Sequence, residues 1–299
     1  MATPACVKPL TAAVAVLLAL SAARAPAQQQ ASPPQPDAAL LERGRYLVEV
    51  AVFCGACHAT RGPDGRVLPG MELAGGRVFQ ELGFRAVAPN ITQDRETGIG
   101  GWTDAQIAAA IRDGHRPDGS PIGPPMPVES YRGISDRDLA ALVAWLRTVP
   151  PVRHAVAERS RYPFTLAPAG PPVASVPEPP DEDPVARGRY IAVNLAHCMD
   201  CHSAQLAEGR ADPHRRGAPG LVLEGPWGAV QARNISSHPE HGIGRWTDEQ
   251  ILGAITRGVS ADGRRLAPSM AGRAPVWARM TPEDQRALVA YLRSLPPQE

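Results

Sequence analysis

The apolar residues of this chain recur at three- and four-residue steps, the interval that stacks side chains on one face of a helix. Leu40, Leu41, Gly44, Leu47, Val48 and Ala51 form such a stripe and run up to Cys54, and a weaker one, Val185, Gly188, Ile191, Ala192 and Leu195, runs up to Cys198. Thr103 with Gln106 and Thr247 with Gln250 have the spacing of a capping box, so a helix is predicted to open after each threonine. Gly114 and Gly258 stand where the ends of those helices would favour a left-handed residue. A last helix carries Leu139, Leu142, Val143 and Leu146, and another carries Leu288, Tyr291, Leu292 and Leu295 behind Thr281-Pro282, an N-cap followed by proline at the first helical position. No segment sustains period-two alternation, so strands should be few and the expected fold class is all-α.

These marks occur in pairs, and the pairing reorganises the whole reading. RGRYL at 43 returns as RGRYI at 187, Cys54 as Cys198, Asn90-Ile91-Thr92 as Asn234-Ile235-Ser236, and GIGGWTDAQI at 98 as GIGRWTDEQI at 242, each 144 positions apart. The stretches from Asp138 and Asp284 then match at 146, so the second copy gains two residues after 270. Two tandem domains are expected, at 37–150 and 184–299. The segment between them, 151–183, holds APAGPP and PEPPDEDP and reads as an extended proline-rich linker. Residues 28–36, QQQASPPQP, are a polar leader of similar character.

Residues 1–27 read as a cleavable export signal: Lys8 in a short positive region, an apolar run from Leu10 to Ala23, and the small-residue site Ala25-Pro26-Ala27. A permanent anchor fits less well, since the run falls short of the ~20 residues that span a bilayer. A periplasmic location follows. Cys6 leaves with the signal, so the four remaining cysteines all lie in two short motifs and none is left for a structural disulfide. Lys8 is the only lysine and the formal charge is +1, which gives no electrostatic footprint for nucleic acid. Residues 37–150 hold 12 Arg against 14 Asp and Glu, and 183–299 hold 14 against 12, a difference too small to name a docking partner.

The motifs are FCGACHAT at 53 and HCMDCHSA at 197. Cys-x-x-Cys occurs in zinc sites, thiol redox pairs and haem attachment, and a histidine directly after the second cysteine selects the last. Two thiols three positions apart on a tight turn can each form a thioether to a porphyrin, and the next residue projects its imidazole onto the iron. A single Cys₄ zinc site would have to unite the same position of two domains and would leave His58 and His202 without a role. Cys54, Cys57, Cys198 and Cys201 are therefore the expected attachment points of two covalent haem c groups, with His58 and His202 as iron ligands.

A second axial ligand should recur at one distance from its histidine in both copies. Met126 lies 68 residues after His58, and Met270 lies 68 after His202. Met71 maps to Arg215, His115 to Val259 and His197 to Phe53, while Met199 lies inside the attachment turn; Met280, opposite Ile134, stays a competitor to Met270. Both selected methionines lie in proline-bearing loops, PPMP and APSM, expected to hold the thioether without a helix behind it.

On these motifs, both copies resemble class I c-type cytochrome domains, and NITQDRETGIGGWTDAQI resembles the dihaem and trihaem cytochrome subunits of periplasmic alcohol, gluconate and aldehyde dehydrogenases. The resemblance implies that the first and last helices cross closely, which suits Gly44 and Gly188, and that Trp145 and Tyr291 are the aromatics of the last helix. Copy two departs from it at NISSHPEHGIG, which leaves His238 and His241 without a carried-over role. Trp102 and Trp246 suit either a haem edge or the core. A His/Met-ligated iron has no vacant position and changes oxidation state with little movement, the profile of an electron carrier. The expected function is transfer of electrons from a periplasmic dehydrogenase subunit to a terminal oxidase or small cytochrome, without catalysis of its own and with membrane association through a complex. The alternative is a dihaem redox enzyme of the peroxidase or thiosulfate-oxidising type, which needs an exchangeable ligand.

Overall fold

In the first repeat the chain enters α1 (Ala38–Tyr46), where Asp37 accepts from the Ala39 N–H at 3.2 Å and caps the first turn. The helix then widens into a π turn, Leu47–Ala51, which buries Leu47, Val48, Val50 and Ala51 together. The one-turn helix α2 (Gly55–His58) follows, then strands β1 (Val78–Glu81) and β2 (Phe84–Val87), α3 (Asp104–Arg112), the one-turn α4 (Val128–Tyr131) and α5 (Asp136–Leu146). The second repeat has α6 (Pro184–Tyr190), a matching π turn at Ile191–Leu195, and α7 (Cys198–Cys201). Strands β3 (Ser203–Gln205), β4 (Ala211–Arg216), β5 (Val222–Gly225) and β6 (Gly228–Gln231) come next, then α8 (Asp248–Arg257), the short α9 (Pro268–Ala271) and α10 (Ala274–Trp277), and α11 (Pro282–Ser294). This computed structural model describes residues 1–2, 37–81, 83–180, 182–207, 209–225 and 227–299. All but the first two residues of the expected export signal, and the whole of the polar leader, lie outside them. Among the described residues no helix is long and apolar enough to cross a membrane.

The all-α expectation is corrected. Among the described residues six short strands pair into three antiparallel hairpins, and the chain is 34% helical. Sequence periodicity misses them because each strand is three to six residues long and shows at most two or three alternations. In the first hairpin Val78 pairs with Val87 and Glu81 with Phe84, and Gly83 supplies the left-handed backbone at φ +81°.

Both capping boxes form, with Thr103 accepting from Gln106 N and Thr247 from Gln250 N, each at 3.2 Å. Gly258 closes α8 at φ +66°, and Gly114 takes φ +69° just past α3. Helix α1 packs on α5, and α6 on α11. At these crossings a Cβ on Gly44 would overlap the Ala141 carbonyl, and one on Gly188 the Ala287 carbonyl, so only glycine allows the backbones to meet.

Residues Pro36–Glu299 pack as one unit around a core that runs through both repeats, from Leu47 and Leu142 to Ile191, Leu195 and Leu288. The repeats exchange a polar contact. Asp138 takes the Arg43 guanidinium of its own repeat at 2.7 Å and the Tyr190 hydroxyl of the other at 2.8 Å. Asp284 takes Arg187 of its own repeat at 2.7 Å and the Tyr46 hydroxyl of the other. Residue i meets j and j meets i, the pattern of a two-fold interface written into one chain. Both carboxylates are 2% exposed. Burial, with the facing carboxylate, pushes both phenols above their ordinary range, so the hydroxyls stay protonated donors.

The proline-rich segment lies across the first repeat. Arg161 pairs its backbone with Arg85 in both directions, at 2.9 and 2.7 Å, and the Tyr162 ring stands 5.6 Å from Phe84. Further on, Val173 N–H donates to Asp113 at 2.9 Å and Val176 O accepts from Asp136 N at 2.9 Å.

Alanine at Gly44 or Gly188 would ordinarily favour a helix by up to ~1 kcal/mol. Here each substitution destabilises by about 1–3 kcal/mol through overpacking, read as a fall in the thermal unfolding midpoint. Tyr190→Phe, which removes a hydroxyl bonded to a buried carboxylate, costs roughly 1.5–3 kcal/mol in denaturant unfolding.

Candidate cofactor site

The π turns deliver the chain to the cysteine motifs through a residue with left-handed backbone, Phe53 at φ +53° and His197 at φ +42°. These are corresponding positions of the two repeats, and neither is glycine. The turn reverses the chain into α2 and α7, which carry the two cysteines of each motif or begin just after the first. None of the four cysteines is in a disulfide, and all are half-buried. Burial pushes the Cys54 and Cys198 thiols up to about 12, although Arg273 draws on the latter. With no ligand bound, a thiol held that high is protonated and a poor redox nucleophile. Among the described residues, the cluster of three or more metal-ligand side chains is His238, His241 and Glu299, and no cysteine belongs to it.

His58 Nδ1 stands 2.8 Å from Pro89 O, and His202 Nδ1 2.8 Å from Arg233 O, at equivalent positions. A carbonyl can only accept, so each Nδ1 carries the proton and each Nε2 keeps a lone pair for a metal. Burial lowers the pKa of both rings, which favours the neutral, ligating form. The loop that presents those carbonyls is fixed by a triplet that recurs in both repeats: Asn90 Oδ1 accepts from Thr92 N and Oγ1 at 2.9 and 2.8 Å, and Asn234 Oδ1 from Ser236 N and Oγ at 2.9 and 2.7 Å.

Both attachment turns open onto one cavity of about 2560 Å³, which also touches Met126, Met270, Trp102 and Trp246. Ordinary ligand pockets run to about 1,000 Å³, so this one suits more than a single small molecule. Met126 and Met270 are half-buried against the core. Met270 departs from the expected loop, because it lies within the one-turn helix α9, whereas Met126 precedes α4. Met280 is 3% exposed where Ile134 is 0%, a core position that also reaches the cavity wall. Trp102 and Trp246 each pack against the core and line the cavity.

Two parts of the wall were not foreseen. Tyr162, Phe164 and Leu166 of the proline-rich segment line the cavity, as do Phe79 and Phe84 of the first hairpin and Leu223 and Trp227 of the third. The aromatics inside an otherwise proline-rich run were the available signal.

The His238 departure is a local replacement. His238 Nδ1 accepts from Glu240 N and His241 N, each at 3.1 Å, as Asp94 Oδ1 does from Glu96 N and Thr97 N at 3.1 and 2.7 Å in the first repeat. With Nδ1 accepting, the neutral ring's proton sits on Nε2, 3.4 Å from Glu299 Oε1, which leaves His238 no lone pair for a metal.

Cysteines in pairs, imidazoles whose Nε2 keeps its lone pair and a large, mostly apolar cavity fit a covalently attached porphyrin. The Cytochrome c family profile matches residues 185–296. The fructose dehydrogenase cytochrome subunit of Gluconobacter japonicus is 31% identical over 97% of this chain and 60% of its own length. The diheme cytochrome c-type protein of Cereibacter sphaeroides is 31% identical over 81% of this chain and 82% of its own. The alcohol dehydrogenase (quinone) cytochrome c subunit of Gluconobacter oxydans is 30% identical over 87% of this chain and 55% of its own, so the chain spans little more than half of some of its relatives. The histidine geometry, the cysteine turns and these likenesses lead to one conclusion: the chain belongs to the c-type cytochromes, electron-transfer proteins that hold haem c covalently.

Proposed function

We propose that this chain is an exported dihaem cytochrome c that carries electrons from a periplasmic dehydrogenase to a terminal oxidase or small cytochrome. It joins the membrane through a complex and has no catalysis of its own. Cys54 and Cys57 would hold one haem, with His58 and Met126 as ligands to its iron; Cys198 and Cys201 would hold the other, with His202 and Met270. The observation that carries this reading is the repetition of one geometry, a Cys-x-x-Cys-His turn with Nδ1 tied to a carbonyl at 2.8 Å, twice on one cavity wall. Relatives named as cytochrome subunits of fructose, alcohol and gluconate dehydrogenases support a dehydrogenase as donor.

When bound, each haem supplies a one-electron couple whose potential a thioether ligand raises relative to more basic ligands. The chain's part is to keep that couple in place. The Pro89 and Arg233 carbonyls fix the ring planes and tautomers of His58 and His202. Phe79, Phe84 and Ile107 on one side and Leu223, Ile251 and Trp277 on the other exclude water from the cavity. Both attachment turns line this one cavity.

Holoprotein matured in a host competent for haem attachment should contain two haems c per chain by the alkaline pyridine assay. Cys54→Ala/Cys57→Ala should contain one, and a wild-type count of one would end the dihaem reading. Met126→Ala and Met270→Ala should each leave one of the two ferrous haems able to bind carbon monoxide, while Met280→Leu should bind none. Carbon monoxide binding in Met280→Leu but not in Met270→Ala would transfer the ligand role to Met280.

A further inference from the structure

The loops that carry Met126 and Met270 are held in different ways. In the second repeat the loop closes on itself. Met270 N–H and Ala271 N–H both donate to Ala267 O, at 2.9 and 2.8 Å, and Gly272 N–H donates to Pro268 O at 3.0 Å, so α9 carries Met270 on its own turn. The first loop, Gly123-Pro124-Pro125-Met126-Pro127, has proline at three of its five positions, and a proline has no N–H to donate. Its support comes from the proline-rich segment. The Tyr162 hydroxyl, 38 residues further on, donates to Pro124 O at 2.8 Å, two positions before Met126.

Gly123 marks this contact as built into the sequence. A Cβ there would stand 2.6 Å from Leu166 Cδ2 and 2.8 Å from Tyr162 Cζ, so the segment rests on bare backbone. Gly123 lies outside the left-handed region, so its own φ does not ask for glycine, and the equivalent residue of the second repeat is Ala267. Tyr162 is located in turn by its neighbours: Arg161 pairs its backbone with Arg85, and the Phe84 and Phe164 rings stand 5.6 and 5.7 Å from the phenol ring. Tyr162, Phe164, Leu166 and Met126 all line the cavity. A strap thus runs from the first hairpin to the residues just before Met126.

We propose that Tyr162 is a positioning residue for the first haem site. Its hydroxyl on Pro124 O and its ring against Gly123 hold the loop so that the Met126 thioether stays within reach of the iron, the task that α9 performs for Met270. A thioether is an uncharged ligand, and its hold depends on how little ordering of the chain is left to do when it binds. Loosening the strap returns freedom to the loop, and a competing ligand then takes the position more easily.

This inference rests on the reading of Met126 as a ligand, and its test separates the two. Imidazole titrated into full-length ferric holoprotein displaces a methionine ligand and removes the near-infrared band of methionine-bound ferric haem. In Met270→Ala that band reports Met126 alone, and in Met126→Ala it reports Met270 alone. Adding Tyr162→Phe, which keeps the ring and removes the hydroxyl, should lower the imidazole midpoint of the Met270→Ala protein roughly two- to tenfold, the net worth of one hydrogen bond. The same change should leave the midpoint of the Met126→Ala protein in place. Gly123→Ala, which crowds Leu166 and the Tyr162 ring off the loop, should also lower the midpoint of the Met270→Ala protein. A midpoint that either change leaves unmoved in the Met270→Ala protein, or an equal fall in both proteins, overturns the proposal. A Met270→Ala protein that lacks the band before any change at Tyr162 fails the ligand reading itself, and this inference with it.

Discussion

An imidazole can give a lone pair to a metal only while its other nitrogen keeps the proton, and the fold is arranged to guarantee that condition twice. The Pro89 and Arg233 carbonyls receive the Nδ1 protons of His58 and His202. Each carbonyl sits at the entrance to a loop that an asparagine side chain holds from within, and Asn90 and Asn234 also reach outward to Val152 O and Gln298 O at 2.8 and 2.7 Å. The chain just past the first repeat and the end of the second therefore help to set the orientation of a ring far back in the sequence. The glycine crossings of α1 on α5 and of α6 on α11 serve the same end, because they fix where the π turns release the chain into the cysteine motifs.

Much of this was legible in the residues. The repeat, the capping boxes, the last helices and the pairing of cysteines with histidines all depend on local spacing, which a sequence displays directly. The hairpins were not legible, because strands as short as Ser203–Gln205 leave no periodic trace. The π turns were hidden for a related reason: a single widened turn keeps the helical stripe of Leu47, Val48 and Ala51 and alters only its phase. The proline-rich segment carried the wrong emphasis. Its composition announces extended backbone, but Tyr162 and Arg161 tie it to the first hairpin by contacts that exist only once the chain has folded. The hydrogen bond from Ser130 to Asp200 was invisible for the same cause, since 70 residues separate the partners.

The repeats are alike around their cysteine turns and histidines and differ in single side chains set on the same backbone. Phe53 and His197 share a left-handed backbone but not a chemistry, and Asp94 and His238 share a turn but not a charge. Duplication sets the common frame, and these differences leave its backbone in place.

The exchanged tyrosines carry a consequence for how such a chain can be divided. Tyr46 completes the coordination of a carboxylate in the second repeat and Tyr190 that of one in the first. Cutting within the proline-rich segment would strip each half of its neighbour's hydroxyl and bare an apolar face. Shuffling by recombination must therefore carry the pair together, and the smallest inheritable piece of this electron wire is the double unit.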